Sequence, residues 1–502
     1  MFKKSSIIIL LFFCSNYTNS QTIQELLNYS IDKPNGTARF ESMGGAFGAL
    51  GGDLSAININ PASSSVFNDN EYGFTLGTQK KSNNSIFFGN PTATNNSRFS
   101  FNHGGGVWLL KNYGEGNIKK VSFAINAQTN NSYDDFIEIR GKNPINSIDK
   151  FFLNNSSGFN ADDLSVGNNE TVSGVYKFLG QNYGYSSQQA FLAYQAYLLN
   201  FDTNSNAFVS QAKYDNGVDQ RHIIESKGVN TKYNLNISMQ FKEDYYFGLN
   251  INTHEIRSES YITHKENNFS IDSPINEITF ENSIVTGGEG FSFQLGGIAK
   301  FNKFRLGITY DSPTWYSLWD ETFQSLETKS TDSNGLNYID KIDPRILNSY
   351  PRYTIKTPSK LTTSAAIIFG KIGLISLDLI SVDYSNIKLK PHRDFSIKNS
   401  KISNELINTL NIRFGGELRL NQLSLRTGYS EMKDPYKRNN MYNTNKSMSL
   451  GLGYDFGETL INISYLKLEN NKTHQLFDSG LTDLSRIKSN NYFTNLSIIF
   501  KF

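Results

Sequence analysis

Five charged side chains fall within segments of alternating apolar and polar residues in the C-terminal part of the chain: Arg413, Glu417, Arg419, Arg426 and Asp455. An arginine held in an apolar pocket can grip a carboxylate through two parallel N–H bonds. Arg413 and Arg426 are the foremost candidates for holding a ligand, with Glu417 and Arg419 beside them. The alternative is that these charges pair across neighbouring strands and line a wet wall. Other chemistry finds little footing. The six histidines, His103, His222, His254, His264, His392 and His474, form no His-Glu-x-x-His motif and no other close metal pair. There is no Gly-x-Ser-x-Gly elbow. The small-residue stretch 36–62 lacks Gly-Lys-Ser/Thr, Gly-x-Gly-x-x-Gly spacing and a following βαβ unit, so it does not read as a nucleotide loop. No catalytic set, cofactor or metal is expected.

The whole chain narrows the setting. Its 502 residues carry 48 basic and 46 acidic side chains, which leaves no electrostatic footprint for nucleic acid. Mean hydropathy is −0.43, and the longest apolar run, 7–13, is far too short for a spanning helix. Aromatics are nonetheless frequent at 13%, and charged residues are sparse at 19%. The start reads Met1-Phe2-Lys3-Lys4, then the apolar run, then polar residues to Thr18-Asn19-Ser20. A basic start, short apolar core and small residues form a secretory signal over 1–20, cleaved near Ser20. A lipid anchor at Cys14 is the competing reading, and bulky Phe12 and Phe13 speak against it. Cys14 is the one cysteine, so the mature chain has no thiol, and an exported chain of this kind suits a bacterial envelope.

The elements that must position the charges are strands. Met448, Leu450, Leu452, Tyr454 and Phe456 alternate with Ser449, Gly451, Gly453 and Asp455. Period two with one apolar face marks a half-buried strand. Fourteen such segments are expected near 71–80, 102–112, 118–128, 231–241, 245–256, 289–301, 303–311, 359–370, 372–384, 409–419, 422–430, 446–456, 459–468 and 490–502. Each has about the 9–11 residues that a tilted strand needs to cross a bilayer. Tight connections, such as 242–244, 420–421 and 457–458, alternate with long ones: 81–101, 129–230, 257–288, 312–358, 385–408, 431–445 and 469–489. That is the layout of an all-β, antiparallel up-and-down transmembrane barrel of about 14 strands, with both ends on the periplasmic side. A propeller would show a blade repeat, and none is visible. A soluble barrel gives the same alternation, so period alone does not set the sidedness.

Three segments stand apart. The last strand ends on Phe500-Lys501-Phe502, an aromatic end like the one bacterial barrel-assembly machinery reads. Gly104-Gly105-Gly106 interrupts the second strand and marks a kink, or else a flexible loop end. Within the longest loop, 186–200 has helical spacing, with Phe191, Leu192, Tyr194 and Leu198 on an apolar face. That face either packs against neighbouring loops or forms an external docking surface for a greasy solute.

Residues 21–70 precede the first strand and are rich in small side chains: Gly44, Gly45, Gly48, Gly51 and Gly52, then Asn60-Pro61-Ala62. Such a segment can pack tightly in the lumen of a barrel. Here the chain resembles the FadL/TodX/OmpP1 family of outer-membrane transporters for hydrophobic compounds, in its Bacteroidetes-type branch. The resemblance rests on the run 42–53 leading into Asn60-Pro61-Ala62, on Tyr310-Asp311-Ser312-Pro313-Thr314, on Thr357-Pro358-Ser359-Lys360, on Leu425-Arg426-Thr427-Gly428-Tyr429 and on Ala190-Phe191-Leu192-Ala193-Tyr194. It implies a monomeric barrel over 71–502, in the outer membrane of a Gram-negative cell, blocked by an N-terminal hatch over 21–70. Its partners would be the lipid bilayer and a hydrophobic small molecule such as a long-chain fatty acid. The rival readings are a structural or interaction barrel serving protein secretion, and a general porin.

Overall fold

The computed structural model describes residues 22–31, 34–111, 116–437 and 445–502. The expected signal segment 1–20, with Cys14, lies outside them. Fourteen strands form a ring: β1 Glu71–Phe87, β2 Asn90–Lys111, β3 Ile118–Ser132, β4 Val218–Phe241, β5 Tyr245–Asn267, β6 Ile275–Phe301, β7 Phe304–Asp311, β8 Lys360–Ile368, β9 Gly373–Asp383, β10 Asn408–Leu420, β11 Leu423–Met432, β12 Asn445–Asp455, β13 Thr459–Gln475 and β14 Leu484–Lys501. Each pairs antiparallel with its neighbours, and β1 closes on β14 from Glu71↔Lys501 to Ile86↔Arg486. Closure satisfies the backbone without leaving an open edge.

The side chains resolve the sidedness that the alternation left open. On β4, Tyr233, Leu235, Ile237 and Met239 are exposed, while Asn234, Asn236, Ser238 and Gln240 are buried. On β12, Leu450, Leu452 and Tyr454 are exposed and Ser447 and Ser449 are buried. Apolar residues outside and polar residues inside suit a wall in hydrocarbon around a polar lumen.

Strands continue past this belt at the loop end. The expected long connections 81–101, 257–288 and 469–489 are largely strand. In the first, β1 passes into β2 through the turn Phe88-Gly89, where both residues take positive φ. Bilayer thickness sets the length of the apolar alternation, whereas the hydrogen-bonded ladder needs no apolar face and runs on into water. Arg257 and Glu259 on β5 and Lys227 on β4 lie in these wet extensions.

Segment 129–230 folds into a module at the loop end with three helices: α3 Asp149–Ser156, α4 Val172–Tyr183 and α5 Tyr185–Gln195. Only α5 was expected, and it ends at Gln195 rather than at 200, before Tyr197 with φ 54° and a short strand from Leu199. The module packs onto inward side chains of the extended strands, with Phe151 and Phe152 of α3 against Phe280 of β6. Phe191, Leu192 and Leu198 are fully buried in this core, and Tyr194 packs against it. They therefore hold the module together and present no open docking face.

Inside the ring lies the N-terminal segment. Helix α1 Ile23–Ser30 opens with a capping box between Thr22 and Glu25. Its buried Leu26 and Leu27 belong to a core with Tyr316, Val382, Leu389 and Phe395 near the loop end. Helix α2 Ala38–Ser42 and two 3-10 turns, Ser55–Asn58 and Pro61–Val66, fill the lumen below it.

Candidate functional site

The small residues of the N-terminal segment meet small residues of the wall. A methyl group added at Gly428 of β11 would land on the backbone of Gly44, and one at Gly307 of β7 on Gly48. Gly296 and Gly248 make the same room for Asn60 and Pro61. All four wall glycines were missed as contacts. Their signal was a glycine at an inward position, visible for Gly428 in the alternation of 423–430. Gly44, Gly45, Gly51 and Gly52 take positive φ, while Gly48 does not. The chain turns here in a way that a side chain would oppose.

Polar wall residues then hold the segment's backbone. Asp378 of β9 accepts from the amides of Phe47 and Gly48, at 3.1 Å each. Asn236 donates to the Pro61 carbonyl, Asn250 to that of Ile57 and Gln294 to that of Asn58. Asn60 donates to the Gly48 and Gly297 carbonyls, at 2.7 and 3.1 Å, and accepts from the Ala62 amide. Each such bond contributes about 0.5–1.5 kcal/mol net, and leaving its buried partner unmade costs more. Asn60, Pro61 and Ala62 thus fasten the segment to β4, β5 and β6.

The charges named from sequence divide. Glu417 lies between three guanidinium groups: Arg39 of α2 at 2.9 Å, Arg426 at 2.6 Å and Arg419 at 2.6 Å. Arg426 also donates to Asn462. Arg426, Glu417 and Arg419 therefore form an ion network that clamps the N-terminal segment through Arg39, a partner absent from the expectation. Asp455 pairs with Lys501. Arg413 is different. It is 6% exposed and has no hydrogen-bond or ion-pair partner among the described residues. Asp378 acts on it only through its field.

Two carboxyls of the inner segment are held in unusual states. Burial drives Glu41 up to about 8, against hydrogen bonds from Asn495, Gly36 and Ser464. Burial also raises Asp53, with Arg39 opposing and the Thr37 hydroxyl bonding to it.

Above the segment is a chamber that opens to solvent and, with that open space counted, spans about 1200 Å³. Arg413 lines it, together with apolar Phe40, Ile59, Ile380, Val382 and Met432 and polar Asn58 and Ser292. Tyr29 and Ser30 of α1 also line it. A smaller space lies against the wall, lined by Glu41, Arg98, Asn102, Leu466 and Phe493 among others. It adjoins an irregularity in β2. There the β1 register shifts after Thr75↔His103 and skips Asn102, and pairing of β2 with β3 covers only His103–Lys111 on the β2 side. Gly104, Gly105 and Gly106 are paired on both sides, so the break comes just beyond the glycines, towards the loop end.

Comparisons with known proteins place this architecture. No protein-family profile matches the chain, and no curated protein matches it. Among solved structures, it is similar to a FadL homologue of Pseudomonas aeruginosa, with a TM-score of 0.54 at 12% identity, covering 94% of this chain and 100% of that one. The toluene transporter TodX of Pseudomonas putida follows with a TM-score of 0.49 at 12% identity, covering 94% and 99%. The toluene transporter TbuX of Ralstonia pickettii gives 0.48 at 12% identity, covering 93% and 99%. At such identity, the match to the FadL homologue establishes a shared fold: a closed fourteen-stranded antiparallel barrel.

Proposed function

We propose that this chain is an outer-membrane transporter of hydrophobic small molecules that carry an anionic end, as long-chain fatty acids do. Its loop end faces outward and its turn end faces the periplasm. The N-terminal segment acts as the hatch, and passage is diffusion gated by hatch movement. The chain works as a single copy, inserted by the barrel-assembly machinery. The observation that carries the reading is Arg413, a buried and unpartnered guanidinium in the wall of a chamber that also has apolar sides. Apolar wall supplies affinity by removing solute surface from water, and the guanidinium selects the charged end.

The test is binding and uptake of a labelled long-chain fatty acid. A charge-assisted hydrogen bond is worth about 1.5–3 kcal/mol, so Arg413→Ala should weaken binding by about tenfold to a hundredfold. An uncharged hydrocarbon of similar size should bind both forms alike. Asn60→Ala, which frees the hatch from β6, should change the uptake rate more than affinity. Uptake that never depends on the protein, or equal fatty-acid affinity in the Arg413 variant, defeats the reading.

A further inference from the structure

Three histidines meet in the wet extension of the barrel, outside the apolar belt. His222 of β4 and His264 of β5 are paired in register, and their Nδ1 atoms are 3.2 Å apart. The ring of His474 on β13 lies 5.5 Å from that of His222. His222 and His264 are 1% and 0% exposed. The ring of Phe477, from the loop after β13, caps His222 at 5.7 Å and His264 at 5.2 Å, and touches Phe151 of α3 at 5.0 Å.

With Glu266 ionised and His264 neutral, the hydrogen bonds assign the proton positions. His264 Nε2 lies 3.0 Å from Glu266 Oε1, and a carboxylate only accepts, so Nε2 carries the proton. His264 Nδ1 is then an acceptor, and His222 Nδ1–H donates to it. That leaves His222 Nε2 as a bare lone pair, buried with no partner in reach. The Nε2 of His474 is also buried and without a hydrogen-bond partner. Glu266 passes the cluster's state to the module, because it also accepts from Ser147 and from the Ile148 amide at the start of α3.

We infer that this cluster is an acid-sensitive latch, which releases the helical module from the barrel mouth when the histidines take up protons. The charged and titratable groups facing it are few. From β5 there is Glu266, already bonded to His264, Ser147, Ile148 and Gln220. From α3 there is Asp149, which accepts from Tyr214. From β13 comes Lys472, paired with Asp135, and from the loop before β14 comes Asp483, bonded by Asn143 and Asn146. Glu266 is thus the one acid in direct contact, and Lys472 repels a proton on His474.

Burial pushes His222 well below its ordinary value, and the neighbouring histidines add to this. Burial likewise takes His474 down to about 3. A docked module therefore holds both neutral. Docking is at full strength above the free imidazole value of about 6.5 and weakens as pH falls below it, by up to one decade per pH unit for each histidine. The inference does not depend on which solute the chamber takes.

Amide hydrogen exchange of α3 and α5 in the full-length protein, corrected for intrinsic rates, tests it between pH 7.5 and 5. Exchange should accelerate below pH 6.5 by up to about tenfold per pH unit for each histidine, less what protonation of Asp149, raised by burial to about 6, gives back. His222→Gln and His474→Gln should each flatten that slope, and His474 is the safer site because the residue as a whole keeps more solvent exposure than His222. A flat profile in the wild type, or an unchanged slope in both variants, overturns the latch. Strong protection by added Zn(II) at pH 7.5 that a chelator reverses would also overturn it, because the two unpartnered nitrogens would then serve a metal.

Discussion

Arg413 and Arg426 sit on adjacent strands and looked equivalent as inward-facing arginines. The difference between them lies in their neighbours. Arg426 faces Glu417, which Arg39 reaches from 378 positions away in the chain. No local pattern announces such a partner. Inward orientation was legible by counting in twos, whereas the identity of the ion network was not, because it is assembled across the lumen. The histidine cluster was hidden for the same reason, since its members come from three strands. Glu41 gives a residue-scale prediction. Burial favours the neutral carboxyl there more than the donors Asn495, Gly36 and Ser464 favour the charged one. The seated hatch is therefore favoured fully below about pH 4.5 and progressively less as pH rises through about 8. Each pH unit in that window costs about 1.4 kcal/mol. Glu41→Gln should remove this dependence and seat the hatch more firmly at pH 8, read as slower proteolysis of residues 34–66. Unchanged pH sensitivity in the variant would place the titrating group elsewhere.

At the scale of elements, all fourteen strands were legible because an apolar outer face and a polar inner face give strong contrast over a bilayer's thickness. Their extensions were not, since both faces turn polar in water and the contrast fades. Helices α3 and α4 escaped notice because short helices inside a polar loop show few turns of periodicity. The hatch was legible as a small-residue segment, but its complement in the wall was not, because those glycines lie on strands far away in sequence. That complement makes a prediction. Gly428→Leu would push a side chain into the backbone at Gly44 and keep α2 from seating against β11, β12 and β13. The variant should keep its barrel and show higher single-channel conductance than the wild type. Wild-type conductance would mean that the close approach of the two glycines does not hold the hatch.

For the whole molecule, the two faces explain a mean hydropathy that looks soluble. Lumen and loops are polar, and averaging them with the lipid-facing belt hides the belt. The ring also explains where stability resides. The ladder runs uninterrupted from β1 round to β14, so the barrel should not depend on its contents. Deletion of residues 22–66 is expected to leave the β-sheet circular dichroism signal in detergent intact while abolishing gated uptake. Loss of the β signal would show that the hatch is part of the fold and not only a gate.

The pairing of β1 with β14 also carries an order of events. The seam joins partners at least 400 positions apart, so it cannot form until the last strand has been made. The hatch precedes every strand and is bonded to the seam itself, since Ser497 of β14 accepts from the Ala38 amide. The wall must therefore curl around a guest that is already present, as a ship is enclosed by a bottle blown over it. A hatch lacking its wall contacts would leave the last-made strand to find its partner without a template. Assembly kinetics, and not only permeation, would then report on the same few residues.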